Sequence, residues 1–357
     1  MEKDKRIGTA LTSFGMSGLV FHGPLVDTHP EFQLKSILQR TKDTAKEKYD
    51  GIQIKRTVEE LINDPGIELV VVNATNDTHY SHARMALEAG KHVVVEKPMS
   101  NTVEEGKALI ELARQKGLVL SVFQNRRWDS DFLTVQKILD DHLLGRVVEF
   151  NGNFDRYRNF IQPNTWKEET GPGSGLLYNL GPHLIDQAFV LFGIPEAVSA
   201  DIRVVRTDSK VDDFFEIYLH YKEVKVRLHS SYLVREPYPR FTIHGTLGSF
   251  VKYGLDVQEA NLKVGEIPGE DGWGEEEESN WGTLNTEING EHVVKKVRSE
   301  SGNYLAFYDN IYEAIRKGGT LAVKPQEALL NIHAIELAFQ SSKEGRAIPF
   351  DKDLINV

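Results

Sequence analysis

The chain has 357 residues, of which 40% are hydrophobic and 27% charged, and its formal net charge at pH 7 is −11. This length suits two domains that each bury a core, and the interspersed, acidic charge argues against nucleic acid or an anionic membrane as the main partner. The absence of cysteine excludes disulfides, thiolate zinc sites and a cysteine nucleophile, and because no stretch reads as a signal peptide or an apolar span we expect a cytoplasmic protein.

Residues 1–125 alternate short strand-like runs with helical patterns, as is typical of βαβ units and a parallel sheet. Strands are predicted over residues 6–11, 32–38, 68–73, 92–95 and 118–123. Thr57 and Thr102 each precede a glutamate by three residues, which is the spacing of a capping box. Gly90 and Gly117 stand where helices would end in a left-handed residue. We therefore predict an α/β Rossmann domain, a doubly wound parallel sheet that binds a dinucleotide, over residues 1–125.

Residues 126–357 follow a different pattern. Residues 130–144 read as an amphipathic helix, and the glycine-rich segment 171–175 leads into a second helix over 176–192. Strand-like runs then follow one another from residue 197 to 253 without helices, which indicates an open, mostly antiparallel sheet. Helices over 304–317 and 325–344 close the chain. We predict an α+β domain for substrate binding and oligomerisation.

Two local patterns in this second part make specific predictions. Asn289-Gly290 lies between alternating runs and predicts a two-residue hairpin. The acidic run 275–278 is interpreted as a solvated loop, with a cation site as the alternative.

A nucleotide site is predicted directly after the first strand. Ser13, Gly15 and Gly18 have the spacing of the glycine-rich dinucleotide fingerprint, with serine replacing the first glycine. Gly15 would let the backbone approach the pyrophosphate, and Gly18 would let the next helix pack close to the sheet. The N-terminus of that helix would offer free amides to the phosphates. The alternative is a tight turn that binds nothing.

The end of the second strand bears on the choice between NAD and NADP. An NAD-binding domain usually offers an acid to the ribose hydroxyls there, but no acid precedes Asp43. Arg40 instead suits a 2′-phosphate, whose geometry the planar guanidinium matches. We expect NADP as the cofactor, with NAD possible. Arg40 could also be merely the exposed first residue of a helix.

Two later motifs carry a resemblance to a known family. Glu96-Lys97-Pro98 at the end of the fifth strand and Gly181-Pro-His183-Leu-Ile-Asp186 resemble signatures of the glucose–fructose oxidoreductase/inositol 2-dehydrogenase (Gfo/Idh/MocA) family. Segments 123–133 and 250–254 resemble its subgroup of NADP-dependent scyllo-inositol dehydrogenases. The resemblance covers residues 7–350. It implies a Rossmann domain followed by an α+β domain whose sheet forms a subunit interface, so a homo-oligomer is expected.

The resemblance implies an enzyme that transfers a hydride between a nicotinamide and a carbinol carbon of a sugar, inositol or related polyol. The family's lysine maps onto Lys97, its helix histidine onto His183 and its aspartate onto Asn179, a departure; its usual Thr-Pro falls on Ala74-Thr75. The residues expected to bind the cofactor are Ser13, Phe14, Gly15, Met16, Gly18, Arg40, Ala74, Thr75, Asn76, His79, Glu96, Lys97, Asn125 and Arg127.

The chemistry assigns a role to each member of this set. Imidazole has a pKa near neutrality, so His183 is the expected base in oxidation and acid in reduction. Lys97 would stabilise the developing alkoxide as a fixed positive charge. Glu96 would orient the turn or Lys97. Asn179 and Asp186 share a helix face with His183.

Asn179 would accept a hydrogen bond from the imidazole but supplies no charge, which predicts a lower pKa for His183 than an aspartate would give. Asp186 is a candidate for the missing charge. Aromatic and arginine side chains suit a polyhydroxylated ring, so Tyr157, Arg158 and Trp166 are expected, with Asn179 and His183, to contact the substrate.

No cluster of His, Asp and Glu has convincing ligand spacing, so no metal is predicted. A rival hypothesis is a non-catalytic NAD(P)- or sugar-sensing regulatory protein on the same fold. The departure at Asn179 favours this rival, whereas the intact Lys97 and His183 favour the enzyme.

Overall fold

The computed structural model describes residues 6–163 and 165–356. The strands are β1 (Ile7–Leu11), β2 (Phe32–Leu38), β3 (Gln53–Lys55), β4 (Leu69–Val72), β5 (His92–Val95), β6 (Leu120–Val122), β7 (Val147–Asn153), β8 (Ala197–Arg203), β9 (Phe214–His220), β10 (Lys225–Ser231), β11 (Phe241–Gly245), β12 (Gly248–Lys252), β13 (Gly282–Ile288), β14 (Glu291–Val297) and β15 (Ile348–Pro349). The helices are α1 (Gly23–Thr28), α2 (Val58–Ile62), α3 (Asn76–Glu88), α4 (Val103–Lys116), α5 (Ser130–Asp140), α6 (Gly175–Phe192), α7 (Gln258–Val264), α8 (Leu305–Lys317) and α9 (Pro325–Glu344). None of these helices is long and apolar enough to span a bilayer.

The first sheet has the strand order β3-β2-β1-β4-β5-β6, and every neighbouring pair is parallel. All four residues of β4 are fully buried, as a strand covered by helices on both faces requires. The strand order reverses between β1 and β4, and ligands bind at such a switch point beyond the carboxyl ends of the strands. The predicted Rossmann sheet is confirmed.

The helices that cover the first sheet begin as the sequence indicates. The Oγ1 atoms of Thr57 and Thr102 accept hydrogen bonds from backbone amides three residues later, both at 3.2 Å. The paired glutamates reach one residue further back than a capping box predicts, to the amides of Arg56 and Asn101. Gly117 ends α4 with φ of 64°, which glycine adopts without a steric penalty.

The second sheet contains nine strands in the order β14-β13-β12-β11-β7-β10-β9-β8-β15. Its β7–β10 pair is parallel and its other pairs are antiparallel. Helices α6 and α9 pack against it. The hairpin between β13 and β14 turns at Asn289 and Gly290, with φ of 53° and 81°. The predicted mostly antiparallel sheet and its hairpin are confirmed.

Two predictions for this part of the chain are wrong in detail. The helix predicted over 130–144 ends at Asp140, because His142 and Gly145 have φ of 53° and 66° and turn the chain. Glu276, in the predicted solvated loop, has a fully buried side chain that lies 2.8 Å from Nζ of the equally buried Lys252. The Lys252 ammonium therefore neutralises the one carboxylate of the acidic run 275–278 that is fully buried.

Helix α8 returns the chain to the first sheet. The rings of Phe307 and Tyr308 are buried, with centroids 5.0 Å from Phe123 and 5.4 Å from Phe32 in edge-to-face contact. Such aromatic contacts add stability beyond the buried area. The expected domain boundary near residue 125 stays a prediction.

Candidate active site

A cleft of about 1260 Å³ lies at the carboxyl edge of the first sheet and is also lined by residues of α6 and the loop before it. Most of the predicted site residues meet there. Those that line the cleft are Ser13, Gly15, Met16, Arg40, Ala74, Thr75, Asn76, His79, Glu96, Lys97, Asn125, Arg158, Trp166, Asn179 and His183.

The fingerprint turn is held by a residue that sequence reasoning missed. Asn73, directly after β4, accepts from the backbone N–H of Ser13 and donates to its carbonyl, both at 3.0 Å. These bonds join the two strands that flank the switch point. A Cβ on Gly18 would lie 2.3 Å from the Ser13 carbonyl oxygen, whereas a Cβ on Gly15 would meet nothing closer than 3.5 Å. Gly18 therefore serves packing, and Gly15 leaves space at the cleft.

The helix after this turn is not a single α-helix as predicted. Residues Ser17–His22 form a π-helical segment before α1, in which the Gly23 amide donates to the Gly18 carbonyl. Pro24 has no amide with which to continue an ordinary α-helical ladder.

Besides Gly18, two residues expected at the cofactor do not line the cleft. The Phe14 ring packs against Tyr49, with centroids 6.0 Å apart. Arg127 donates two hydrogen bonds to Asp186, at 2.8 and 2.7 Å, and one to Glu327 at 2.8 Å. Its guanidinium is committed to these carboxylates, and Arg127 is not among the residues that line the cleft, so this geometry does not support its assignment to the cofactor. The pairing with Arg127 neutralises the carboxylate of Asp186, so Asp186 does not supply a negative charge to His183.

Two arginines lie at the mouth of the cleft in different states. Arg56 donates to the carbonyls of Gln39 and Lys42, at 2.7 and 2.9 Å, and to Asp43 at 2.7 Å. The exposed side chain of Arg40 forms no ion pair or hydrogen bond within residues 6–163 and 165–356. Of these two arginines, Arg40 is therefore the one whose guanidinium is free to bind a ligand.

The residues at the start of α3 connect loops around the cleft. His79 is buried, and its Nδ1 and Nε2 lie 2.7 Å and 3.3 Å from the carbonyls of Pro98 and Ala74. Burial lowers the pKa of His79 against the effect of these carbonyls. Asn76 donates through Nδ2 to the Gly173 carbonyl at 3.0 Å, which ties the first domain to the loop before α6.

Glu96 orients the turn that carries Lys97. Its Oε1 accepts from the Ser17 hydroxyl at 2.5 Å and lies 3.2 Å from His22 Nε2, and its Oε2 accepts from the Lys97 amide at 3.1 Å. Burial alone would raise the pKa of Glu96, but the bonds from His22 and Ser17 and the charge of Lys97 outweigh it and hold the pKa at about 2. Glu96 is therefore ionised at neutral pH.

Lys97 reaches across the cleft to α6. Its Nζ donates to the backbone carbonyl of Asn179 at 2.5 Å. Burial, followed by the positive charge of Lys167, lowers the pKa of Lys97 to about 7, against the opposing effect of Glu96. The Lys97 ammonium thus titrates near neutrality, in contrast to an ordinary lysine.

His183 lies one helical turn after Asn179 and is buried. Burial, and then the positive charges of Lys97 and Arg126, lower its pKa well below the usual value. Its Nδ1 has no hydrogen-bond partner in the described part of the chain. The ring is therefore neutral at pH 7 and able to accept a proton.

The predicted hydrogen bond from His183 to Asn179 is not formed. The Asn179 amide instead lies 3.3 Å from Lys167 Nζ and 3.5 Å from the Tyr232 hydroxyl. Helical side chains lean toward the N-terminus of their helix, which takes this amide away from the residue one turn later.

The segment after β7 corrects one substrate prediction and adds a residue. The amides of Arg156 and Arg158 donate to the carbonyls of Ser231 and Tyr232, at 3.0 and 2.7 Å, and Tyr157 between them forms an isolated antiparallel bridge with Leu233. Side chains alternate on such a backbone: Arg156 and Arg158 both line the cleft. Tyr157 points to the other side, where it is 41% exposed.

Sequence reasoning also missed Lys167, Arg156 and Tyr232, all of which line the cleft. The two-residue spacing of Arg156 and Arg158 is a signal from which sequence reasoning could have placed both arginines on one side. No sequence signal indicates that Tyr232, which lies far along the chain, lines the same cleft.

Both parts of the chain match profiles of one oxidoreductase family. The NAD-binding Rossmann-fold profile of the Gfo/Idh/MocA oxidoreductase family matches residues 8–124, and its C-terminal alpha/beta-domain profile matches residues 136–350. The scyllo-inositol 2-dehydrogenase (NADP(+)) IolW of Bacillus subtilis (strain 168) is 40% identical over 96% of this chain and 95% of its own length.

Solved structures agree with this assignment. The crystal structure of a candidate oxidoreductase from Bacteroides fragilis NCTC 9343 has a TM-score of 0.89 at 52% identity and covers 96% of this chain and 99% of its own. An oxidoreductase from Bacillus cereus has a TM-score of 0.88 at 35% identity, with 97% of this chain and 99% of its own covered.

Proposed function

The chain belongs to the Gfo/Idh/MocA family of NAD(P)-binding oxidoreductases, and on that premise we propose that it is an NADP-dependent dehydrogenase of a sugar, inositol or related polyol. Lys97 and His183 are the proposed catalytic pair. One observation carries the proposal: Lys97 Nζ donates a hydrogen bond to the backbone carbonyl of Asn179 on α6. Asn179 lies one helical turn before His183, whose imidazole is neutral, so the lysine and the histidine meet in the same cleft. The name of the Bacillus subtilis relative supports a polyol as the substrate class.

The first half of the cleft fits a dinucleotide. In the turn from Ser13 to Gly18, a Cβ on Gly15 would meet nothing closer than 3.5 Å, so the turn leaves room for a pyrophosphate to approach its backbone. Arg40 has no protein partner among the described residues and would bind a 2′-phosphate with its planar fork. This arrangement supports NADP over NAD.

When bound, the nicotinamide supplies the hydride acceptor. In oxidation, neutral His183 accepts the proton of the substrate hydroxyl, while the hydride leaves the carbinol carbon and the C–O bond becomes a carbonyl. The Lys97 ammonium donates a hydrogen bond to the same oxygen and stabilises the negative charge that develops there. Glu96 holds the backbone of Lys97 and takes no proton, since its pKa is about 2.

The proposal is tested by steady-state turnover. Production of NADPH is followed with NADP or NAD and a panel of inositols, aldoses and sugar acids, for the wild type and for Lys97→Met and His183→Ala. We expect turnover of at least one polyol, which each substitution reduces by about 10²–10⁴-fold. Lys42→Ala, an exposed charge change outside the cleft, should leave turnover unchanged.

The alternative result is tight NADPH binding without turnover of any substrate. That result would reject the dehydrogenase and favour the regulatory sensor.

Two further expectations remain predictions. A homo-oligomer would form through the face of the second sheet that α6 and α9 leave uncovered, and sedimentation of the purified protein measures its mass directly. A cytoplasmic location stays a prediction as well.

A further inference from the structure

The cleft carries a charge opposite to that of the whole chain. The chain contains 53 Asp and Glu against 42 Lys and Arg. Among the described residues that line the cleft, eight are Lys or Arg and four are Asp or Glu. A concave surface lined by one sign of charge concentrates ligands of the other sign.

Two arginines at or near the substrate end of the cleft, Arg126 and Arg206, are neutralised by carboxylates. Arg126 pairs with Asp129 at 3.0 Å and with Glu259 at 2.6 Å. Arg206 pairs with Glu168 at 2.7 Å and Asp213 at 2.8 Å. These pairs are buried and serve the fold, because a buried charge without a partner is strongly destabilising.

Three other cations at this end have no such partner. Within the described ranges, Arg156, Arg158 and Lys167 form no ion pair, and all three line the cleft. Arg156 and Arg158 flank Tyr157, which forms an isolated bridge with Leu233, and the Arg158 guanidinium lies 5.5 Å from the centre of the Tyr232 ring. Burial first, then the charge of Arg158, lowers the pKa of Arg156.

The three cations lie beside the proposed catalytic pair. Lys167 Nζ is 3.3 Å from the side-chain oxygen of Asn179, whose backbone carbonyl accepts from Lys97. Glu168 is held by Arg206 and so fixes the turn that carries Lys167. Asn179 Nδ2 lies 3.5 Å from the hydroxyl of Tyr232, and the ring of the same tyrosine lies beneath the Arg158 guanidinium.

We propose that the substrate carries an anionic group, a carboxylate or a phosphate ester, which Arg156, Arg158 and Lys167 bind. The inference rests on the proposed dehydrogenase and narrows its substrate class to acidic polyols. The guanidinium groups offer paired donors that match either anion. Glu259 and Glu96 offset part of this charge from a distance, and an anion bound between the three cations would pair with them directly.

The experiment compares matched neutral and anionic substrates. Inositol is measured against an inositol monophosphate, and glucose against glucuronate and a hexose phosphate, with NADP held at saturation. We expect kcat/KM for an anionic member to exceed that for its neutral partner by about 10-fold or more. The carboxylate and phosphate arms identify which anion is bound.

The variants Arg156→Gln, Arg158→Gln and Lys167→Met test the site itself. Each should reduce the anionic advantage, the ratio of kcat/KM for the anionic partner to that for the neutral partner in the same variant, by about 10–100-fold, with little change in KM for NADP. Arg235→Gln is the matched control, because Arg235 is an exposed cation that lies 4.1 Å over the ring of Tyr157, outside the cleft.

Three results would overturn the inference. Equal turnover of neutral and anionic partners, with equal effects of the variants on both, removes the anionic substrate. A rise in KM for NADP alone assigns these cations to the cofactor. If no substrate is oxidised, the proposed dehydrogenase fails, and the anion site is then tested separately by calorimetric titration of the NADP-saturated protein with glucuronate and the hexose phosphate. Absence of binding rejects the anion site. Binding that Arg158→Gln abolishes supports it.

Discussion

Lys97 donates a hydrogen bond through Nζ to the backbone carbonyl of Asn179, 2.5 Å away. This contact joins the turn after β5 of the first sheet to the second turn of α6. It brings an ammonium whose pKa is about 7 into the cleft that His183 also lines. The pair therefore combines a neutral base with a cation that exists only below or near neutrality.

This pKa predicts a pH dependence for polyol oxidation. Lys97 is charged below pH 7 and loses its proton above it, so kcat/KM should fall as the pH rises through about 7. On the acid side, the rate should fall only at a pH below the usual pKa of a histidine, where His183 becomes protonated and can no longer act as the base. Rate profiles of wild type and Lys97→Met test this: the substitution should abolish the alkaline fall and lower the rate by about 10²–10³-fold. A fall that persists in Lys97→Met would assign it to another group.

Replacing Asn179 by aspartate should move that profile. The new carboxylate would lie beside Lys167 Nζ, which is 3.3 Å from the amide oxygen it replaces, and a negative charge raises the pKa of nearby cations. We expect Asn179→Asp to shift the alkaline limb upward by about one pH unit. Asn179→Ala removes the amide without adding charge and serves as the control; an unchanged profile in Asn179→Asp would contradict the electrostatic coupling.

The free guanidinium at the mouth of the cleft predicts the cofactor preference. Arg40→Ala should raise the dissociation constant for NADPH by about 10–100-fold and leave that for NADH nearly unchanged, because only NADPH carries the 2′-phosphate. Fluorescence titration of the two reduced cofactors measures both. Lys42→Ala removes a charge two residues away and should change neither; a parallel loss for both cofactors would place Arg40 at a shared phosphate.

The buried ion pair of Lys252 and Glu276 predicts a large effect on stability. Both side chains are fully buried, so Lys252→Met leaves a charged carboxylate without its counter-ion and should lower the free energy of unfolding by about 3 kcal/mol or more. Urea denaturation measures the change. Lys317→Met breaks the exposed pair with Glu313 and should leave the transition unchanged. Equal effects of the two substitutions would show that burial of the pair is unimportant.

The elements of the first sheet could be predicted because their signals are local. The bounds of β2 and β5 agree with the sequence prediction: β5 is an apolar run after His92, and β2 begins with alternating apolar and polar residues and ends in the apolar pair Ile37-Leu38. Gly90 and Gly117 have the expected positive φ. The end of α5 was missed because the apolar pattern continues to Leu144, which is buried through a turn rather than through a helix.

The site was only partly predictable, because its decisive contacts join distant parts of the chain. The pairing of Arg127 with Asp186 and the turn of the Asn179 amide toward Lys167 depend on how the second domain packs on the first. Motif spacing indicates which residues share a helix face, but it does not indicate which neighbour each side chain meets.

The position of α8 has a consequence for how the protein is made. Its residues Phe307 and Tyr308 complete the aromatic core around Phe32 and Phe123, although they are synthesised long after those strands. During translation the nucleotide-binding domain would therefore emerge with an unfilled apolar surface, which stays uncovered until the last sixth of the polypeptide is made. A fragment cut near residue 125 would expose the same surface and should aggregate rather than bind nucleotide.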